Sequence, residues 1–289
     1  MSDRIEVLKT YKTYVGGNFP RTESGRYYKV YDGNDNILAN ACQCSRKDLR
    51  DAVVAARNAQ EGWNSRSAYN RGQILYRIAE MLETRKAQFV EELETIGYKT
   101  KKAKAEVEAS IDRLIYYAGW SDKYQQVFGT INPVSSSHFN FSMPEPMGVV
   151  NIWAPEERPL LGLVSIMAPV IVGGNSCIIL ASEKYPLSAV SFAEVLNSSD
   201  VPGGVVNILT GFKDELLEHM TTHKDVNAFF YTDPDIEQEQ RKQIDENSTL
   251  NLKRVRRRPV EDWLSEEAQS PYFISDFQET KTTWHPVGL

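Results

Sequence analysis

Residues 147–163 read MGVVNIWAPEERPLLGL. Met147 to Ala154 is a continuous apolar run of the length expected for a strand buried on both faces. A second apolar stretch, Leu160 to Val172, is long enough for a buried helix. Glu156, Glu157 and Arg158 stand between the two. The alternation recurs downstream. SCIIL (176–180), VVNIL (205–209) and VNAFFY (226–231) are further strand-like runs, with helical patterns at 159–172, 186–198 and 212–222. Strand and helix alternate four times, which predicts an α/β fold with a Rossmann-like, doubly wound parallel sheet. In such a sheet ligands bind beyond the carboxyl ends of the strands. The three charges at 156–158 fall at that place.

Upstream, residues 13–44 read as short strands and turns, with YVGG and YDGND as turn signals. Ser45 opens a helix, and Asp48 completes a capping box three residues on. Apolar residues then recur at helical spacing: Leu49, Ala52, Val53 and Ala56, followed by Ile74, Ile78, Met81 and Leu82. Phe89, Val90, Leu93 and Ile96 continue the pattern, as do Val107, Ile111, Leu114, Ile115 and Ala118 within 103–124. An N-terminal helical layer is expected. HFNFSMPEP, from His138, alternates as a strand does. Beyond about residue 238 the periodicity weakens, and residues 251–272 read as a charged linker. YFISDFQETKTTWHP (272–286) is rich in aromatic and β-branched residues and reads as one long strand.

The 289 residues carry a net charge of −6, with 41% apolar and 25% charged residues. That balance argues against a nucleic-acid partner. The longest apolar run contains Ser165 and Pro169 and is too short to span a bilayer, so no membrane association is expected. The N-terminal segment lacks the apolar core of a secretory signal. Three cysteines without framework spacing fit a reducing compartment, and a cytoplasmic location is expected. Met1 followed by a polar start reads as the beginning of a whole chain.

Several features invite chemistry. Glu156-Glu157-Arg158 has the residue types of a new acid–base site, but a solvated loop is expected there. Cys177 lies inside a strand pattern, where thiols are buried and inert. Cys42-Gln43-Cys44 lacks the two further ligands zinc requires. His219 and His223 share one helix face but lack a third ligand, so no metal site is expected. KRVRRR (253–258) is read as an exposed linker neutralised by Glu261, Asp262, Glu266 and Glu267.

The order and spacing of YVGGNFPRTESGR, DAVVAARNAQEGWNS, NRGQILYRIAEMLE, EPMGVVNIWAP, APVIVGGNSCIIL, SEKYPLSA and PGGVVNILTGF resemble the aldehyde dehydrogenases. The resemblance runs from residue 13 to about 250 and resumes at 273–286. In particular the chain is similar to the truncated second half of the two-part family sixteen aldehyde dehydrogenases, or to a free-standing relative of it. The resemblance implies a nucleotide-binding domain at 13–250, with an arm strand at about 137–143 inserted. The linker at 251–272 would replace the catalytic domain, and 273–289 would form a C-terminal oligomerisation strand.

Carried over residue by residue, the family's functional positions transfer poorly. The oxyanion-stabilising asparagine after the first sheet strand is matched by Glu157, which accepts hydrogen bonds where a donor is needed. The cofactor-ribose lysine is matched by Leu180. The ribose-binding glutamate three residues on is matched by Glu183, the single cofactor-binding residue expected. Tyr231 and Ile236 occupy the places of two glycines that let a pyrophosphate approach a helix N-terminus. Asp233 and Pro234 would cap and start that helix, with Asp235 and Glu237 adding negative charge. Asn251 falls at the general-base glutamate. No cysteine follows Cys177, so the thiolate that begins the family's chemistry has no counterpart.

The resemblance therefore implies a non-catalytic assembly or regulatory subunit, forming a homodimer or a hetero-oligomer with a full-length aldehyde dehydrogenase. Two alternatives stand beside it. One is a residual NAD or NADP sensor. The other is an oxidoreductase acting on aldehydes only with a complementing catalytic chain.

Overall fold

The computed structural model describes residues 7–233 and 236–288. Strands β1 (Thr10–Tyr11), β2 (Tyr27–Tyr31) and β3 (Ile37–Cys42) form a small sheet in the order β1-β3-β2. The helical layer follows as α1 (Arg46–Asn64), α2 (Ala68–Thr84), α3 (Lys86–Thr95), α4 (Thr100–Trp120) and the short α5 (Tyr124–Phe128). The capping box at α1 is present: the Ser45 hydroxyl accepts from Asp48 N, and the Asp48 carboxylate accepts from Ser45 N. Strands β4 (Thr130–Asn132) and β5 (His138–Pro146) begin the arm.

The central layer is β6 (Val149–Trp153), α6 (Leu161–Val172), β7 (Ser176–Leu180), α7 (Leu187–Asn197), β8 (Val206–Leu209), α8 (Lys213–Thr222) and β9 (Ala228–Tyr231). After α9 (Gln238–Ser248) comes β10 (Arg254–Arg257), then α10 (Tyr272–Ser275) and β11 (Gln278–Pro286). The main sheet is parallel and ordered β10-β9-β6-β7-β8. Its strands alternate between two cores. Val150, Ile152, Cys177 and Ile179 face the core shared with α2, α4, α6 and α7. Val149, Trp153, Ile178 and Leu180 face the core shared with α1 and α8. Helices thus cover both faces, which is why the central strands are mostly apolar; the buried side-chain amides of Asn151 and Asn207 donate to the carbonyls of Met220, Cys177 and Gly204. The β8 edge is covered too. Tyr14 and Ile208 exchange backbone hydrogen bonds of 2.9 and 2.7 Å. The loop beyond is pressed in so closely that a Cβ on Gly17, at φ +80°, would lie 2.9 Å from the Cα of Gly203.

The arm is an antiparallel sheet ordered β11-β5-β4. β11 pairs with β5 over nine positions, from Gln278 opposite Pro146 to Pro286 opposite His138. Only Gln278 in β11 is buried, and Trp284 is 58% exposed. The other edge of β11 has no partner strand among the described residues.

Two expectations need correction. The final segment is not one strand: it begins with the helical turn of α10, and the strand starts at Gln278. The 251–272 stretch is not a loose linker. β10 adds a fifth strand to the main sheet, pairing Arg254 with Ala228 through Arg257 with Tyr231. Lys253 is buried, and its ammonium donates to the carbonyls of His223 (2.9 Å) and Val226 (2.6 Å). Arg254 donates to the carbonyls of Asp276 and Gln278 and pairs with Glu279 at 2.8 Å. Arg256 and Arg258 both pair with Asp276, and the Arg258 guanidinium lies 3.4 Å from the Phe273 ring centroid. Three of the five cations in the basic run, Arg254, Arg256 and Arg258, thus pair with two carboxylates some twenty residues further on, Asp276 and Glu279. Arg113, buried between α4 and α6, holds the rest of the stretch. It donates to Ser165 Oγ (2.8 Å), to the carbonyl of Trp263 (3.0 Å) and to that of Ala268.

Candidate functional site

The strand order reverses beside β6. From β6 the chain steps to β7 and β8 on one side, and later to β9 and β10 on the other. The carboxyl ends of β6 and β9 therefore flank the topological switch point, where ligands of open α/β sheets bind. The side chains there converge on one lysine.

Lys213 is the first residue of α8, and its side chain is 12% exposed. Its ammonium lies 2.8 Å from the carboxylate of Glu156, which follows β6, and 3.3 Å from that of Asp233, which follows β9. The backbone N–H of Lys213 donates to the carboxylate of Glu183, which follows β7. Glu156 also accepts from Ser182 Oγ (2.6 Å) and from the amides of Glu183 and Lys184 (3.2 Å each). The ammonium sits 5.9 Å from the centroid of Trp153. Three strand ends are thus tied together by one cation and three carboxylates.

The electrostatics follow from these contacts. Burial opposes ionisation of Glu156, but Lys213, Ser182 and the Lys184 amide outweigh it and hold the carboxyl below its ordinary value. Burial likewise disfavours the Lys213 ammonium, yet Glu156 and Asp233 raise its pKa above that of a free lysine. Glu183 is raised, mainly by burial, with the Glu156 charge adding to the effect. Tyr28 closes one side. Its ring packs 5.0 Å from Phe212, and burial pushes its phenol upward.

The structure brings Glu156 and Glu183 together and separates both from Asn251. Asn251 precedes β10, at the amino end of the sheet, where its side-chain amide donates to the carbonyls of Lys224 and Val226 (3.0 Å each). Glu157 is exposed, as a solvated loop would have it. Its neighbours are not. Glu156 belongs to the lysine cluster. Arg158, at φ +51°, reaches within 3.5 Å of the fully buried Glu106. Glu106 in turn accepts from the amides of Leu160 and Leu161, at the start of α6. Burial raises the Glu106 pKa despite those partners.

Leu180 is buried in the core, and Tyr231 is buried with its ring 6.4 Å from that of Trp153. Asp233 does not cap the next helix: α9 starts at Gln238, and Asp233 faces Lys213 instead. Pro234 and Asp235 lie outside the described residues. Cys42, Cys44 and Cys177 are all buried, and burial raises the thiols of Cys44 and Cys177 far above the ordinary range.

Sequence reasoning missed Lys213 and Glu106. Both carried a signal. Lys213 opens the helix after a strand, as Glu156, Glu183 and Asp233 each follow one, so topology alone places all four on one edge. Glu106 lies on the buried stripe of α4 with Ala103, Val107 and Ser110, where a glutamate requires a partner.

Sheet order and switch point define a doubly wound fold of the nucleotide-binding class. The model of the aldehyde dehydrogenase family matches residues 20–256, and the chain belongs to that family. The cytosolic 10-formyltetrahydrofolate dehydrogenase of Mus musculus is 31% identical over 235 residues, covering 79% of this chain and 26% of that protein. The omega-crystallin of Nototodarus sloanii is 30% identical over 235 residues, covering 79% of this chain and 47% of that protein. Among solved structures, the NAD+ complex of an aldehyde dehydrogenase from Bacillus cereus superposes with a TM-score of 0.80 at 25% identity. That match covers 86% of this chain and 50% of the other. The chain thus spans about half the length of single-enzyme relatives and about a quarter of the 10-formyltetrahydrofolate dehydrogenase.

Proposed function

We propose that this chain is a non-catalytic member of the aldehyde dehydrogenase family that serves as an assembly or regulatory subunit. The observation that carries the proposal is the Lys213 cluster at the switch point. A dinucleotide brings a pyrophosphate to that edge of the sheet. Here Glu156, Glu183 and Asp233 supply negative charge, and Lys213, the cation nearest them, is already engaged by two carboxylates. By the resemblance Tyr231 and Ile236 match two glycines of the phosphate loop, and Tyr231 ends β9 with its side chain buried in the core. The residues present do not fit NAD or NADP.

The reading is supported from a second side. A thiohemiacetal needs an accessible thiolate, and the three thiols of this chain are buried. Glu157, at the oxyanion-donor position, presents a carboxylate. The arm, by contrast, is kept: β11 runs nine residues with an edge that is open among the described residues, and open edges recruit partners. The expected partner is a second copy or a full-length aldehyde dehydrogenase, bound through this arm.

The test is the native mass of the untagged protein from its own cells, with identification of co-purifying chains. A complex that loses its partner in Trp284→Asp supports the proposal. A monomer, or a complex unaffected by arm substitutions, overturns the assembly role.

A further inference from the structure

The pair His219 and His223 finds no use in the cluster at the strand ends. It lies instead beside a second pair with the same spacing. Arg46 and Arg50 occupy successive turns of α1, and together with His219, His223 and Lys224 they line a notch of about 340 Å³ between α1 and the end of α8. Among the described residues no carboxylate lines this notch, in a chain whose net charge is −6. One edge of the Arg50 guanidinium is engaged, with Nε and Nη2 donating to the exposed carboxylate of its neighbour Asp51 at 3.2 and 3.0 Å, so only its remaining N–H groups serve the notch. The His223 ring is oriented: its Nδ1 accepts the amide of Asp225 at 3.3 Å. That hydrogen bond places the proton of the neutral ring on Nε2, leaving an N–H donor.

We infer that this notch is a binding site for a phosphate monoester of a small molecule. The guanidinium groups offer paired donors suited to a tetrahedral oxyanion. Lys224 adds charge, and His223 adds a neutral donor. The volume suits a phosphoryl group with a few carbons and is too small for a dinucleotide, so the site is separate from the sheet's carboxyl edge. Asp225 and the carbonyl end of α8 oppose anion binding, so at least two of the cations must act together.

The experiment is an NMR titration of the full chain at constant ionic strength, with inorganic phosphate and glycerol phosphate as probes and chloride as control. Saturable shifts confined to residues 46–50 and 219–224 are expected, about tenfold weaker in Arg46→Ala/Arg50→Ala and also weakened in Lys224→Ala. Tighter binding of the ester than of phosphate identifies the ester as the ligand. Equal binding identifies the free anion. Shifts that do not saturate, that chloride reproduces, or that survive both variants overturn the inference. Because these side chains lie outside the core, an unchanged amide spectrum elsewhere establishes that the variants remain folded.

Discussion

The carboxyl edge of the main sheet and the edge of the arm are built oppositely. At the first, three strand ends are closed over one lysine, and Trp153, Leu180 and Tyr231 are buried behind it. At the second, a strand of nine residues lies almost wholly exposed on one neighbour. A binding cleft would be expected to be open at the switch point, and a finished monomer would be expected to protect its last strand. This chain does the reverse, and the proposed role follows from that inversion.

The sharpest contrast should appear in stability. Phe229 is fully buried, with its ring 5.2 Å from Trp153. Phe229→Ala should cost about 3–5 kcal/mol in urea unfolding. Trp284→Asp should cost under about 0.5 kcal/mol, because an exposed side chain gives up little burial, while lowering the native mass. Equal costs at the two sites would erase the distinction.

Lys213→Ala should cost about 2 kcal/mol, less than for a fully buried pair because Glu156 and Asp233 keep some solvent contact. Adding Glu156→Gln should recover part of that loss, since one stranded carboxylate is then neutral. Simple additivity in this double-mutant cycle would mean the cluster is not coupled.

A smaller effect is expected with pH. The folded pKa of Glu156 lies below its ordinary 4.5, so its stabilisation is present above that value and is lost as pH falls through the folded pKa. The folded pKa of Lys213 lies above 10.5, so its stabilisation holds below that value and is lost as pH rises further. Between about pH 5 and about pH 3 the wild type should therefore lose more stability than Glu156→Gln. Parallel pH profiles would remove Glu156 from the account.

The smallest effect is local. Asp276→Asn should loosen the hold of Arg256 and Arg258 on the segment before β11 and speed amide exchange in residues 278–286. Main-sheet exchange should stay unchanged. Protection in β11 equal to wild type would mean that pairing with β5 alone holds the arm.

The central strands were legible because burial on both faces leaves them apolar at most positions, Asn151, Ser176 and Asn207 being the buried exceptions, and the capping box at Ser45 marked α1 by local chemistry. β10 was not, because an edge strand tolerates charge, and the partners of its arginines lie some twenty residues away in sequence. The helix expected from Asp233 failed for a related reason: a carboxylate suited to a cap was taken by Lys213. Glu183 was found by resemblance, but its place at the amide of Lys213 depends on how two strand ends meet in space.

Whether the switch point still takes a nucleotide is read by titrating the purified chain with NAD and NADP, followed by calorimetry and by the fluorescence of Trp153 near Lys213. The account predicts no saturable binding up to millimolar nucleotide, and none gained by the exposed-arm variant Trp284→Asp. Saturable binding that Lys213→Ala or Glu183→Gln alters would contradict it, and would make the switch point a working nucleotide site.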